Sequence, residues 1–197
     1  MSGIAAEVHR ITGHLETLGI PFAIVGGLAV SARTEPRFTR DVDIAVAVSD
    51  DREAEQLVTA LRSHGYRPVF LTEQQVAARL ATARLVRGSG DAEGILDLLF
   101  ASSGIEAEVA ASAERIELFE GVRAPVATVG ALIALKLLAR DDRERPQDVA
   151  DLRALVRGAT SAELGEADRL CGRIEERGFQ RGRRLRDDLA ALLDVPA

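Results

Sequence analysis

The chain has 197 residues and a formal net charge of −6, enough length for one substantial core or for a catalytic domain with a helical appendage. Its 47% apolar and 28% charged residues are an ordinary globular balance that excludes a disordered chain, and no apolar run approaches the ~20 residues a membrane-spanning helix requires. The opening MSGIAAEVHR lacks the basic stretch and apolar block of a signal peptide, and the single Cys171 can form no internal disulfide, so a reducing cytoplasm is the expected location.

In chain order, Ile4, Val8, Ile11, Leu15 and Leu18 recur at helical spacing from about Gly3 to Leu18, and Gly19 and Pro21 end that helix. Phe22 to Val25 is a short apolar strand, after which Gly26-Gly27 opens a second helix over Leu28 to Ala32 and a polar loop runs from Arg33 to Arg40. Asp41 to Val48 is β-branched and reads as a strand, followed by a helix from Asp51 to His64 that stops at Gly65. A strand over Tyr66 to Leu71 and a short helix over Glu73 to Leu80 come next. Two strands, Ala83 to Arg87 and Ile95 to Phe100, are then joined by the turn-rich GSGDAEG. Arg115 to Phe119 and Val122 to Val126 flank Glu120-Gly121, a hairpin signal. From Thr128 every periodic segment is helical: Val129 to Arg140, Gln147 to Val156, Ala162 to Arg177 and Arg181 to Leu193. The expected class is α+β, a mixed sheet flanked by helices, with residues 1–127 as the core domain and 128–197 as a helical C-terminal region.

The chemistry concentrates on the strand beginning at Asp41. Residues two apart on a strand share a face, so Asp41 and Asp43 project together while Val42 and Ile44 point into the core. Adjacent carboxylates raise one another's pKa unless a cation lies between them, and a hard divalent ion such as magnesium suits them. The plainer alternative is that Asp43 pairs with an arginine such as Arg40. Separated from Asp41 by thirteen intervening residues, Gly26-Gly27 sits between a strand and a helix, where backbone N–H groups can hold phosphate and only glycine allows close approach. Asp97, in the apolar ILDLLF, is a carboxylate that a buried strand tolerates only with a partner.

Lys136 is the only lysine among 25 basic residues, and its helix GALIALKLLAR is apolar on nearly every side, so its ammonium must be paired, face a site, or reach out to solvent. In RERPQDVADLRAL, Pro146 suits a first helical turn and places Asp148 and Asp151 on one face at i, i+3. Either these acids orient Lys136 or a nucleotide, or Asp148 favours a helix N-terminus and Asp151 pairs with Arg153 or Arg140 on the surface. The arginines at 173, 177, 181, 183, 184 and 186 could grip RNA, but Glu175, Glu176, Asp187 and Asp188 interrupt them, and a solvated, ion-paired helix face is the simpler reading. His9 and His14 do not share a helix face well, no Gly-x-Ser-x-Gly occurs, and no P-loop precedes Lys136.

VGGLAV followed by RFTRDVDIAV resembles the hG[G/S]…DhD signature of the DNA polymerase β-type nucleotidyltransferase superfamily. TRDVDI, LIALKLLA and RPQDVADLRAL together resemble the AbiEii family of nucleotidyltransferase toxins, including the mycobacterial MenT toxins, over Ile24 to Leu155. The resemblance implies a nucleotidyltransferase fold and transfer of a nucleotide from a nucleoside triphosphate, with magnesium, or manganese in its place, on Asp41, Asp43 and the candidate third acid Asp97. It implies a triphosphate contact at Lys136, with Arg40 assisting, and a downstream acid at Asp151 or Asp148. Thr39 matches a Ser or Thr position close to the nucleotide, whereas Leu28 stands where many relatives carry Ser or Thr. The implied acceptor is the 3′ end of tRNA, whose modification blocks translation, and the implied partner is a cognate antitoxin. Transfer to a small molecule or a protein hydroxyl, or a degenerate binding module, are the competing expectations.

Overall fold

The computed structural model describes residues 3–36, 39–75, 77–88, 94–140 and 146–194. Helix α1 (Gly3–Thr17) buries Ala5, Val8, Ile11 and Leu15, the stripe its periodicity demands. Strand β1 (Phe22–Val25) is buried throughout and runs directly into α2 (Gly26–Arg33). Strand β2 (Asp41–Val46) follows, then α3 (Asp51–Ser63), whose N-cap Asp50 accepts from the Glu53 amide.

The helix expected over Glu73 to Leu80 is not formed. Strand β3 (Arg67–Gln74) instead turns back into β4 (Arg79–Arg87), with Thr72 opposite Thr82, Glu73 opposite Leu80 and Gln74 opposite Arg79. Cross-strand pairing overrides the local helical pattern, and Ala78 takes a left-handed φ of 47° in the reversal. Most of the GSGDAEG connection, residues 89–93, lies outside the described residues. Its two strands do pair, β4 with β5 (Gly94–Leu99) antiparallel, Arg87 opposite Gly94.

A six-residue helix, α4 (Glu106–Ala111), precedes the hairpin of β6 (Glu114–Phe119) and β7 (Val122–Val126), where Gly121 sits at φ 74°. The seven strands form one mixed sheet in the order β3-β4-β5-β2-β1-β7-β6, with β2 parallel to β5, β1 parallel to β7 and the other neighbours antiparallel.

Helix α5 (Val129–Ala139) is buried on most sides because α7 (Ser161–Glu176), α6 (Pro146–Gly158) and α2 all pack on it. Thr128 caps α5 and also donates to Glu166, and a Cβ at Gly130 would strike α7, so the two helices meet at near backbone contact. Helix α8 (Leu185–Leu193) starts later than the expected Arg181, since Arg181 and Gly182 take left-handed φ values of 54° and 75°. Cys171 is buried in α7, a small apolar filler. The C-terminal arginines are ion-paired: Arg173 and Arg177 with Glu108, Arg183 with Asp188, Arg184 with Asp187 and Arg186 with Asp168. Among the described residues, no helix is long and apolar enough to cross a membrane.

Candidate active site

Strand alternation turns Val42 and Ile44 into the core and leaves Asp41 and Asp43 on the other face. Register then brings further side chains to that face. Asp43 lies opposite Val25 of β1 and Asp97 of β5, Asp97 opposite Arg84 of β4, and Arg84 opposite Phe70 of β3. A single row therefore crosses five strands.

Arg84 donates from Nε to Asp97 Oδ1 at 2.8 Å and from a terminal nitrogen to Asp97 Oδ2 at 2.6 Å, and the same nitrogen reaches Asp41 Oδ2 at 3.5 Å. The sequence reading did not single out Arg84; the alternation that buries Ala81, Ala83 and Leu85 while leaving Thr82 and Arg84 on the opposite face was its available signal. Arg84 thereby joins Asp97 and Asp41. The paired acids hold its guanidinium firmly protonated. Asp43 is pushed up to about 6, first by burial and then by the negative charges of Asp97 and Asp41, with Lys136 and Arg84 opposing the rise.

Helix α2 begins at the end of β1 without a side-chain cap, so its first N–H groups open beside the acids. Gly26 has φ 64°, and a Cβ there would overlap the Asp43 carboxylate. Only glycine brings the helix start and Asp43 together. At the far end of α2, Arg33 donates to the Val126 and Ala127 carbonyls and fixes the helix against the sheet.

A cleft of about 890 Å³ runs from Gly26 and Gly27 past Asp43, Asp97 and Arg84 to Lys136 and Asp148 on the helical side. Lys136 Nζ lies 2.6 Å from Asp148 Oδ1 and 2.8 Å from Asp151 Oδ2, with side-chain exposures of only 12%, 9% and 3% for the three residues. Gln147 donates to the other Asp151 oxygen at 3.0 Å. Lys136 thus takes the paired alternative, with both acids of α6. Asp148 Oδ2 is buried without a hydrogen-bond partner among the described residues. Thr39 bonds through its hydroxyl to the Asp41 carbonyl at 3.4 Å, and the neighbouring Arg40 is exposed.

The donor chemistry of Asp41 and Asp43 fits a hard divalent cation: oxygen ligands on one face, one of them driven up by burial and by the acids beside it, with a glycine cradle next to them. Among the described residues, no group of three or more His, Cys, Asp or Glu is arranged as an ion cage, and Arg84 occupies both Asp97 oxygens.

The family model for the nucleotidyl transferase AbiEii toxin of type IV toxin–antitoxin systems matches residues 13–194. The chain belongs to the AbiEii family. It is accordingly an NTP-dependent nucleotidyltransferase of a toxin–antitoxin family. No curated protein matches the AbiEii chain significantly in sequence.

Solved structures share its fold. An antigenic nucleotidyltransferase-like protein from Paracoccidioides brasiliensis aligns with a TM-score of 0.55 and 20% identity over 96% of this chain and 91% of that one. ANT(2″)-Ia in complex with adenylyl-2″-tobramycin aligns with a TM-score of 0.56 and 18% identity over 88% and 97%. The lincosamide antibiotic adenylyltransferase LnuA, lincomycin-bound, aligns with a TM-score of 0.50 and 15% identity over 79% and 97%. The expected α+β nucleotidyltransferase fold, a mixed sheet flanked by helices, is the fold observed.

Proposed function

We propose that this AbiEii protein is a toxin that transfers a nucleotide from a nucleoside triphosphate to the 3′ end of tRNA and so blocks translation, countered in the cytoplasm by its cognate antitoxin. The observation that carries the reading is the juxtaposition of Asp43, with Asp41 beside it on β2, and the uncapped start of α2, across one cleft from Lys136. The acceptor rests on family membership.

In this reading the acids Asp41, Asp43 and Asp97 form the site for magnesium or manganese, which when bound lowers the acceptor hydroxyl's pKa and neutralises charge on the α-phosphate. The Gly26 and Gly27 amides receive phosphate oxygens at the helix start. Lys136 faces the departing phosphates, held in place by Asp148 and Asp151, which limit its swing. The orphaned Asp148 Oδ2 can accept a hydroxyl proton of the nucleotide sugar. Thr39 and Arg40, just before Asp41, stand at the nucleotide's edge, and residues 1–127 and 128–197 act as catalytic core and helical clamp.

The test incubates the protein with each labelled triphosphate, magnesium, and total RNA or total protein, beside Asp41→Ala and Lys136→Ala. Label on tRNA that both substitutions abolish is expected. Label on protein alone, or on no acceptor, overturns the toxin reading. A second reading, transfer to a small-molecule hydroxyl, is favoured by the fold shared with two antibiotic adenylyltransferases, and an aminoglycoside and a lincosamide belong in the same panel.

A further inference from the structure

We propose that Arg84 is a resident counter-ion for Asp97, so that the divalent cation of this site is held by Asp41 and Asp43 and not by Asp97. The inference rests on the metal-dependent reading above and divides that reading's three acids into two roles.

Both Asp97 oxygens accept charge-assisted bonds from Arg84, at 2.8 and 2.6 Å, in the side-on geometry that makes arginine–carboxylate pairs strong. The sheet enforces the pairing, because Arg84 and Asp97 are directly opposed in the β4–β5 ladder. Moving one away requires breaking both bonds without shifting either strand. Exposure separates the acids in the same sense: the Asp97 side chain is 11% exposed and Asp41 is 37% exposed, so the accessible acid is Asp41.

Charge balance gives the stoichiometry. Asp41, Asp43 and Asp97 carry three negative charges when ionised, and Arg84 supplies one positive charge within hydrogen-bond reach of Asp97. One divalent ion neutralises the remainder. An ion ligated by Asp97 would have to displace two short guanidinium bonds, at 2.8 and 2.6 Å, whereas one on Asp41 meets a single longer contact of 3.5 Å. Asp97 then acts as a positioning residue: it aims Arg84 at Asp41, 3.5 Å away, and holds the guanidinium on the wall of the cleft.

The test counts bound Mn2+ on nucleotide-free protein by the loss of the free-ion electron paramagnetic resonance signal. Wild type is expected to bind one ion, Asp43→Asn to bind at least tenfold more weakly, and Asp97→Asn to bind within threefold of wild type. Arg84→Gln, which frees Asp97, is expected to bind a second ion or to bind the first more tightly. The double variant Arg84→Gln/Asp97→Asn removes the pair as a unit and must still bind one ion, which guards against misfolding of either single variant. Weakening by Asp97→Asn and by the double variant as severe as that by Asp43→Asn overturns the assignment alone. No binding by wild type overturns the metal-dependent reading together with it.

Discussion

Replacing Asp43 with asparagine should stabilise the protein while abolishing its activity. Asp43 rises from an ordinary 3.8 to about 6 because burial and two neighbouring acids disfavour its charge. The folded state therefore holds this proton more tightly than the unfolded chain does. The contribution is favourable below pH 3.8 and is lost as pH climbs from there through about 6. A rise of roughly two units, at about 1.4 kcal/mol per unit, makes the ionised carboxylate cost the fold on the order of 3 kcal/mol at pH 7. Asparagine keeps the shape and removes the charge, so urea unfolding at pH 7 with EDTA should place Asp43→Asn above wild type by up to about 3 kcal/mol, with the gap closing by pH 4. Added Mg2+ should close most of the gap: an ion at a hundred times its Kd stabilises wild type by about 2.7 kcal/mol and leaves the variant nearly unmoved. In activity, the Mg2+ requirement of wild type should rise about tenfold per pH unit below 6, as protons compete for the carboxylate. An Asp43→Asn variant no more stable than wild type in EDTA at pH 7 would refute the account of strain in this cluster.

Lys136→Ala leaves two buried carboxylates on one helix face without their cation, and should lower the urea-unfolding free energy by about 3–5 kcal/mol; adding Asp148→Asn and Asp151→Asn should recover much of the loss without restoring transfer. Gly26→Ala forces a side chain into a left-handed φ of 64° and into the Asp43 carboxylate, so stability should fall by at least ~1 kcal/mol and nucleotide transfer by tenfold or more, both measurable on one purified sample. Burial pushes the Cys171 thiol up to about 12, with Glu175 and Asp168 adding to the rise, so Ellman's reagent at pH 8 should react with it only after unfolding in urea.

What could be read from the sequence follows the range over which each signal acts. Strands β1 and β2 and helix α5 are marked by their own composition and fall where periodicity places them. The i, i+3 spacing of Asp148 and Asp151 is equally local, but their shared partner Lys136 depends on how α5 packs against α6. Arg84 escaped notice for the same reason: on β4 it is one arginine among many, and only the register of three strands sets it against Asp97 and Asp41. The segment Glu73 to Leu80 has helical local character, yet the β3–β4 ladder claims both its ends, and no local pattern reports a partner strand. Helix α4 is only six residues long, below the length at which periodicity can be read.

The sheet wall of the cleft carries more acids than cations, and this constrains how substrate enters. On the sheet side Glu73, Asp43 and Asp97 face the single cation Arg84, whereas on the helical side Lys136 is shared by Asp148 and Asp151 and Arg181 adds a second cation. A nucleoside triphosphate is itself strongly anionic, and the α2 N-terminus offers only partial positive charge against it. The sheet wall repels the free triphosphate by Coulomb forces. On the proposed reading the nucleotide binds as its divalent-cation complex, whose metal meets Asp41 and Asp43 while its phosphates meet the α2 amides and Lys136. Nucleotide affinity should then collapse in EDTA. It should also weaken in Asp43→Asn, although that substitution removes a negative charge that would otherwise repel the phosphates.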